Sequence, residues 1–440
     1  MSTRLLTVMG SGETAPTMVK VHRQVVDAVG SEPPGVLLDT PFGFQVNADD
    51  LAARTVTYFA QSVGAPLAVA GVRSTQDLVG PGADAIVAGL AAAPVVFSGP
   101  GSPTYALRQW RSTVVPTILR EKLTYGGAVT FSSAAALTLG AFTVPVYEIY
   151  KAGLDPYWEQ GLDLLRSVDD RLCAAVVPHY DNAEGGTYDT RFCYLGEQRL
   201  ARLQAELPEG AVVLGVDEHT ALTFDIGAGR ATVAGLGTVT VRVGGRSEVL
   251  PSGSTITVSD LVAMADRLRH GPAAAIPAGG SHTTGGATSG ASTSSSEGAG
   301  SRLSPLLQAA RAYDERFRRA RAAGDAPEMV AAILDTEAEL WQWRADPTQS
   351  EEQDRVRATL RTMVDTLGSV AEVGTRDPAK TIGPYVELAL ALRTAARVGR
   401  RFEDADRVRR QLAELGVEVR DGSEGSSWVL RGVEGAGPSC

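Results

Sequence analysis

A serine on a sharp turn, a histidine to take its proton and a carboxylate to orient that histidine suffice for acyl transfer. Residues 126–136, Gly-Gly-Ala-Val-Thr-Phe-Ser-Ser-Ala-Ala-Ala, offer a place for the first of these. A β-branched apolar run ends in two serines, and an alanine-rich helical stretch begins at once. On such a strand-to-helix turn the hydroxyl projects from the sheet edge, and the free N–H groups of the helix start favour developing negative charge. Ser133 is therefore the candidate nucleophile. Its base must come from only five histidines. His22 lies on an early helical pattern, His270 precedes a Gly/Ser-rich stretch and His282 sits inside it. His179 ends the apolar run 174–178, where α/β domains place functional loops, and is the better base on position. His219, after a later strand and beside Asp217 and Glu218, is the reserve.

The elements that must position these residues follow from the hydrophobic pattern. Short β-rich runs at Leu5–Met9, Gly35–Leu38, Leu67–Ala70, Pro94–Phe97, Ala128–Phe131, Ala174–Pro178 and Val212–Val216 alternate with helix-like runs such as Asp50–Val63 and Tyr105–Glu121. This alternation predicts an α/β domain with a mostly parallel sheet and helices on both faces. The stretch Arg230–Val258 is Gly/Val/Thr-rich and reads as antiparallel hairpins closing that domain. Residues 269–303 run through Pro, Ala, Gly, Ser and Thr and cannot bury a core, so they are expected to form a flexible linker with an end separation of roughly 30 Å. Beyond it, heptad-like apolar spacing over Leu306–Ala323, Met329–Trp343 and Asp354–Leu367 predicts a mainly α-helical domain at 304–433. A short β hairpin is expected at Val417–Arg420 and Trp428–Arg431, then a tail at 434–440. Trp341 and Trp343 are two apart and cannot both face the core of one helix, so one is expected on the surface as an interaction anchor.

Composition narrows the function. A formal net charge of −10 argues against broad affinity for nucleic acid or anionic membranes. Cys173, Cys193 and Cys440 are too few and too scattered for a disulfide framework or a zinc cluster, which suits a reducing cytoplasm, and no cofactor is expected. The opening residues are too short an apolar run for a signal peptide. The apolar region 126–146 carries paired Ser, several Thr, Gly and Pro145, which speaks against a membrane span. Gly10-Ser-Gly-Glu13 sits at a strand end but lacks the third glycine and the lysine of a phosphate loop.

Four segments in order, Phe-Ser-Ser-Ala-Ala-Ala at 131–136, Val-Pro-His-Tyr-Asp-Asn-Ala at 177–183, Gly-Glu-Gln-Arg-Leu-Ala-Arg-Leu at 196–203 and Gly-Val-Asp-Glu-His-Thr-Ala-Leu at 215–222, resemble the dipeptidase E and cyanophycinase family over about residues 4–265. The resemblance implies a class I glutamine amidotransferase-like fold and a serine–histidine–acid triad that cleaves peptide bonds next to aspartyl residues. It matches Ser133 to the nucleophile and His179 to the base. Two acids stay open: Glu148 stands where dipeptidase E has its acid, and Glu218 matches the Asp-Glu pair of cyanophycinase. The oxyanion is expected to be held by the N–H of Ala134 and by Gly99 or Gly101 in the turn 97–102, since Pro100 has no N–H. Arg199 is a candidate clamp for a substrate carboxylate, because its planar fork pairs two oxygens. Phe131 and Ala135 stand where the family carries glycine. The phenylalanine is expected to crowd the elbow, to shift the turn so that Ser132 is exposed, or to mark a site that has lost hydrolysis.

Residues 383–431, with Ala-Asp-Arg-Val-Arg at 405–409, Leu-Gly at 415–416 and Trp428, resemble the C-terminal end of cysteinyl-tRNA synthetases. No His-Ile-Gly-His-like or Lys-Met-Ser-Lys-like signature is present, so aminoacylation is not expected. A tRNA contact through Arg397, Arg400, Arg401, Arg407, Arg409 and Arg410 is one expectation for this domain and a protein partner the other. Glu403, Asp404 and Asp406 interleave with those arginines as on a solvated helix face. Two functions stand at this stage: a serine hydrolase acting on a small peptide or amide, and a noncatalytic adaptor. Homo-oligomerisation is left open.

Overall fold

The computed structural model of the protein describes residues 2–185, 188–270, 303–346, 350–374, 377–422 and 425–431. Residues 271–302 of the expected linker, His282 and the tail with Cys440 lie outside the described residues.

Apolar runs become strands close to where the pattern puts them. In chain order they are β1 (Arg4–Met9), β2 (Gly35–Leu37), β3 (Leu67–Val69), β4 (Val95–Ser98), β5 (Gly127–Ser132), β6 (Phe142–Thr143), β7 (Glu159–Gln160), β8 (Ala174–Val177) and β9 (Val212–Val216). The antiparallel part follows as β10 (Thr220–Asp225), β11 (Arg230–Gly235), β12 (Thr238–Val243), β13 (Arg246–Pro251) and β14 (Thr255–Thr257). They form two sheets rather than one. The larger has the order β14-β11-β10-β1-β5-β4-β2-β3, and the smaller β13-β12-β9-β8-β6-β7. In the larger sheet β3, β2, β4, β5 and β1 run parallel, and β10 pairs with β1 antiparallel.

The division arises at Asp217–His219. Those residues join β9 to β10, and His219 takes a left-handed φ of 51°. The turn sends the chain from the smaller sheet into the larger. β5 lies between β1 and β4 with both faces covered, which is why it reads as a continuous apolar run and not as an alternation.

Helices Pro305–Ala323, Ala326–Gln342, Ser350–Gly374, Pro378–Val398 and Phe402–Glu414 follow, then the hairpin β15 (Val417–Gly422) and β16 (Gly425–Leu430). The chain groups into two compact units, Met1–Ala312 with Asp335–Arg357, and Tyr313–Leu334 with Ala358–Cys440. The α/β unit thus takes in segments from beyond the expected linker, whereas the pattern alone puts a boundary at 304. Their seam is a small apolar cluster in which Leu306, Ala310, Trp343 and Val356 pack with Ala15.

In the second unit Val386, Leu390, Leu412, Val417 and Val419 make the core of the last two helices and the hairpin. Arg393, buried among them, donates to both carboxylate oxygens of Asp421 at 2.8 and 2.7 Å, a fork-on-fork pair that ties the helix to β15. Among the described residues no helix is long and apolar enough to cross a membrane.

Candidate active site

The end of β5 becomes the helix Ser133–Leu137 without a connecting loop, and Ser133 takes a φ of 50°. A non-glycine residue pays for that left-handed conformation only where the surroundings hold it, which is the mark of an elbow. The expected crowding by Phe131 does not occur. Along a strand successive side chains alternate, so Phe131 turns into the fully buried core against Trp110, with ring centroids 5.7 Å apart. Ser132 turns the other way and donates to Glu13 Oε2 at 2.7 Å. It is fully buried and engaged, whereas Ser133, at 9%, keeps a little accessible surface and turns to His179. Ala135, also fully buried, donates its N–H to the Gly99 carbonyl at 3.1 Å and so docks the glycine turn onto the helix start.

β8 delivers His179 just past its end, and its parallel partner β9 delivers Glu218. With Val177 opposite Gly215, residues 179 and 218 emerge from adjacent strands on the same sheet edge. His179 Nε2 lies 2.9 Å from Ser133 Oγ, and its Nδ1 lies 2.8 Å from Glu218 Oε1. The carboxylate at Nδ1 favours the tautomer in which that nitrogen donates and Nε2 accepts from the serine. Asn182 Nδ2 donates to the same Glu218 oxygen at 3.2 Å, and the Glu218 N–H donates to Asp181 Oδ1 at 2.8 Å.

Electrostatics follow from this line. Burial alone would depress the His179 imidazole, but the hydrogen bond and charge of Glu218, with Glu13 and Glu184 further out, carry it above its ordinary value of 6.5. Burial would raise Glu218, yet the imidazole and Asn182 hold it below the usual carboxylate range. Asp181, pushed up to about 6 by burial and by the Asp217 charge, forms the outer edge of the cluster.

His219 and His22 are engaged by other partners. His219 bonds Thr17 Oγ1 at 3.0 Å and meets the Trp343 ring edge-on with centroids 5.3 Å apart. Burial lowers it to about 4, so it stands neutral at pH 7. His22 bonds the Glu13 carbonyl at 2.7 Å and is likewise lowered to about 4 by burial. Glu148, the other acid considered, accepts from Thr104 Oγ1 at 2.7 Å, while Nδ1 of His179 is already held by Glu218. Asp217 accepts from the N–H and hydroxyl of Thr238, both at 2.8 Å, and braces the turn.

Ala134 stands in the first turn of the elbow helix, where N–H groups have no intrahelical acceptor. Gly99 and Gly101 flank Pro100 in the docked turn. They differ in what they would tolerate. A Cβ on Gly101 would lie 2.1 Å from the Pro41 carbonyl oxygen at a φ of +135°, whereas one on Gly99 would meet nothing nearer than 3.5 Å. Gly101→Ala should therefore cost at least about 1–3 kcal/mol from the backbone alone, with a lower Tm in a thermal melt, and Gly99→Ala should melt like wild type.

Arg199, on the helix Gly196–Ala205, makes one long bond to the Leu195 carbonyl at 3.5 Å and pairs with no carboxylate among the described residues. Its charge reaches Tyr150, whose hydroxyl shares a hydrogen with that of Tyr188 at 2.5 Å. Phe192, Cys193 and Tyr194 run consecutively through left-handed φ values of 61°, 56° and 65°, and the Cys193 N–H returns to the His179 carbonyl at 3.1 Å. Sequence reasoning missed this brace, and it missed Glu13 and Asn182. Asn182 lies within the quoted segment 177–183, and Glu13 lies just past the end of β1, whose Met9 pairs with Ser132; a buried acid there was the available signal.

In the second unit, Arg397 and Arg409 approach Asp421 at 3.5 and 3.8 Å, Arg401 approaches Asp404 at 3.6 Å, and Arg407 pairs with Asp404 as well. Of the two carboxylates, Asp404 is one of the interleaved acids, and Asp421 stands on β15, where Arg393 already holds it. Trp341 is the exposed member of the tryptophan pair, at 61%, with the Arg344 guanidinium over its ring, and Trp343 is buried.

No family model matches the chain. Among curated proteins its C-terminal region is similar to cysteine–tRNA ligases: 54% identical over 51 residues to that of Kocuria rhizophila, 50% over 46 residues to that of Parvibaculum lavamentivorans, and 27% over 141 residues to that of Afipia carboxidovorans. These matches cover 12%, 10% and 29% of this chain and 11%, 10% and 30% of those enzymes. The chain therefore spans less than a third of the length of the curated relatives it matches. Among solved structures, a peptidase from an acI-B1 actinobacterium is 20% identical with a TM-score of 0.47, covering 58% of this chain and 97% of that one. A candidate peptidase E protein from Listeria monocytogenes EGD-e is 13% identical with a TM-score of 0.35, covering 53% and 100%. Both structural likenesses fall on the N-terminal part of the chain, and the curated ones on its C-terminal region.

Proposed function

We propose that the α/β unit is a serine hydrolase that cleaves a peptide or amide bond in a small substrate. The reading rests on one observation, the unbroken line from Ser133 Oγ to His179 Nε2 at 2.9 Å and from His179 Nδ1 to Glu218 at 2.8 Å. In the proposed reaction Ser133 Oγ attacks the carbonyl carbon while its proton passes to His179 Nε2. The oxyanion is held by the N–H groups of Ala134 and Gly99, with Gly101 shaping the turn. Collapse of the tetrahedral species breaks the C–N bond, and the amine leaves with the proton from His179. Water then attacks the acyl-serine, gives a proton to His179, and the carboxylic acid and free serine are released.

Arg199 is proposed to clamp a substrate carboxylate, since among the described residues its guanidinium pairs with no carboxylate and makes one long bond to the Leu195 carbonyl. A dipeptide with an aspartyl residue at the cleaved bond is the substrate to try first. Arg199→Ala should raise KM by about 10–100-fold, the worth of a charge-assisted bond, and leave kcat within a factor of about two. A rise in KM below threefold removes the clamp. The reaction itself is tested by incubating the purified full chain with a panel of free and amidated dipeptides and following amine release. Turnover by wild type and none by Ser133→Ala supports the hydrolase; equal release by both assigns the activity elsewhere.

A further inference from the structure

Glu13 is the least expected group near the elbow. It follows the Gly10-Ser-Gly turn after β1, and its side chain is 1% exposed. One carboxyl oxygen accepts the Ser132 hydroxyl at 2.7 Å, and the other is buried with no hydrogen-bond partner. That second oxygen lies over the glycine turn, 3.5 Å from where a Cβ of Gly99 would stand. A full carboxylate with an unpartnered buried oxygen would be costly to bury, and the surroundings answer that cost. Burial, and then the Asp346 charge, hold the Glu13 carboxyl above the usual carboxylate range.

Asp346 comes from the segment that returns to the α/β unit after the linker. The same segment fixes Thr14 through a 2.8 Å bond from its hydroxyl to the Ala345 carbonyl, and seats Trp343 against His219, the neighbour of Glu218. The residue on each side of Glu13 is thus set: Gly12 leaves room for the His219 ring, which a Cβ there would meet at 2.1 Å, and Thr14 is held by the returning chain.

We propose that Glu13 is a positioning residue of the elbow: wedged between the Ser132 hydroxyl and the glycine turn at Gly99, it fixes the strand end from which Ser133 is presented, and the post-linker segment Trp343–Asp346 holds it there. The proposal rests on Ser133 being the nucleophile. It gives that segment a role in the catalytic unit that the synthetase-like sequence downstream does not suggest.

The test uses the full-length chain with Glu13→Gln and Glu13→Ala, and a fluorophosphonate whose inactivation kinetics separate Ki from kinact. Glutamine keeps the acceptor for Ser132 and puts an NH2 where the second oxygen stood, so Glu13→Gln should react within about threefold of wild type. Glu13→Ala should lose at least about 30-fold in kinact with Ki little changed, while its folded fraction by circular dichroism at the assay temperature matches wild type. Equal kinact in wild type and Glu13→Ala overturns the proposal, as does a loss in Glu13→Gln as large as in Glu13→Ala. Should wild type itself fail to react, the hydrolase reading fails on its own account. The positioning role is then decided by crystal structures of wild type and Glu13→Ala: a Ser133–His179 contact that lengthens past hydrogen-bond range upholds it, and an unchanged contact overturns it.

Discussion

Ser133→Ala is expected to remove peptide hydrolysis almost completely, by about 10³-fold at least and towards 10⁶-fold, because the remaining members of a triad act on nothing once the attacking oxygen is gone. The substitution should leave the fold intact. Ser133 is 9% exposed and its hydroxyl bonds His179, so alanine removes that hydrogen bond without opening a cavity. Steady-state hydrolysis beside a thermal melt checks both halves. The comparison with Ser132→Ala separates the two serines: Ser132 serves Glu13 rather than His179, so its loss should slow the reaction through the elbow and not abolish it. If Ser132→Ala is the dead variant and Ser133→Ala turns over, the elbow has been assigned to the wrong residue.

Glu218→Gln carries the second largest effect. The amide preserves shape but removes the charge opposite Nδ1, which leaves the imidazolium unsupported and permits the wrong tautomer; a fall in kcat of about 10²–10⁴-fold is expected. The pH profile supplies the sign. The working form of His179 is the neutral imidazole, so the rate rises as the proton leaves. Glu218 and its hydrogen bond outweigh burial and raise His179 above 6.5; the acidic limb of kcat/KM in wild type should therefore have its midpoint above 6.5. In Glu218→Gln only burial and the more distant charges of Glu13 and Glu184 remain, and the midpoint should move down. The stability linkage has the matching sign. A base whose folded value is raised stabilises the fold fully below its unfolded value and loses that contribution as pH rises through the folded one. Urea midpoints for wild type minus Glu218→Gln should accordingly narrow between neutral and alkaline pH. A midpoint that stays put on substitution would mean that the acid acting on His179 is another residue.

Much of this site was legible because its chemistry stands at the ends of apolar runs. Ser133 follows β5 and His179 follows β8, and in a parallel sheet such ends lie on one edge, where loops converge. The choice between Glu148 and Glu218 was not legible. Spacing along the chain does not say which strands are neighbours, and it is the pairing of β8 with β9 that puts Glu218 beside the imidazole. The course of the Phe131 side chain was left open for a similar reason. A glycine is needed near an elbow only if the side chain would turn inward to the serine, and the alternation of β5 sends this ring to Trp110 instead. The break into two sheets depends on His219 in a left-handed turn, a conformation that no β-rich pattern reveals. The return of Asp335–Arg357 to the α/β unit was hidden too, since amphipathic helices state that they have an apolar face and not which surface covers it.

The central claim is that the Ser133 hydroxyl is activated by His179, and peptide mapping of the full-length chain after reaction with a fluorophosphonate tests it most directly. One adduct is expected, on Ser133, formed by wild type and absent from His179→Ala. An adduct on Ser132 or any other serine, or equal modification of Ser133 with and without the histidine, would contradict it.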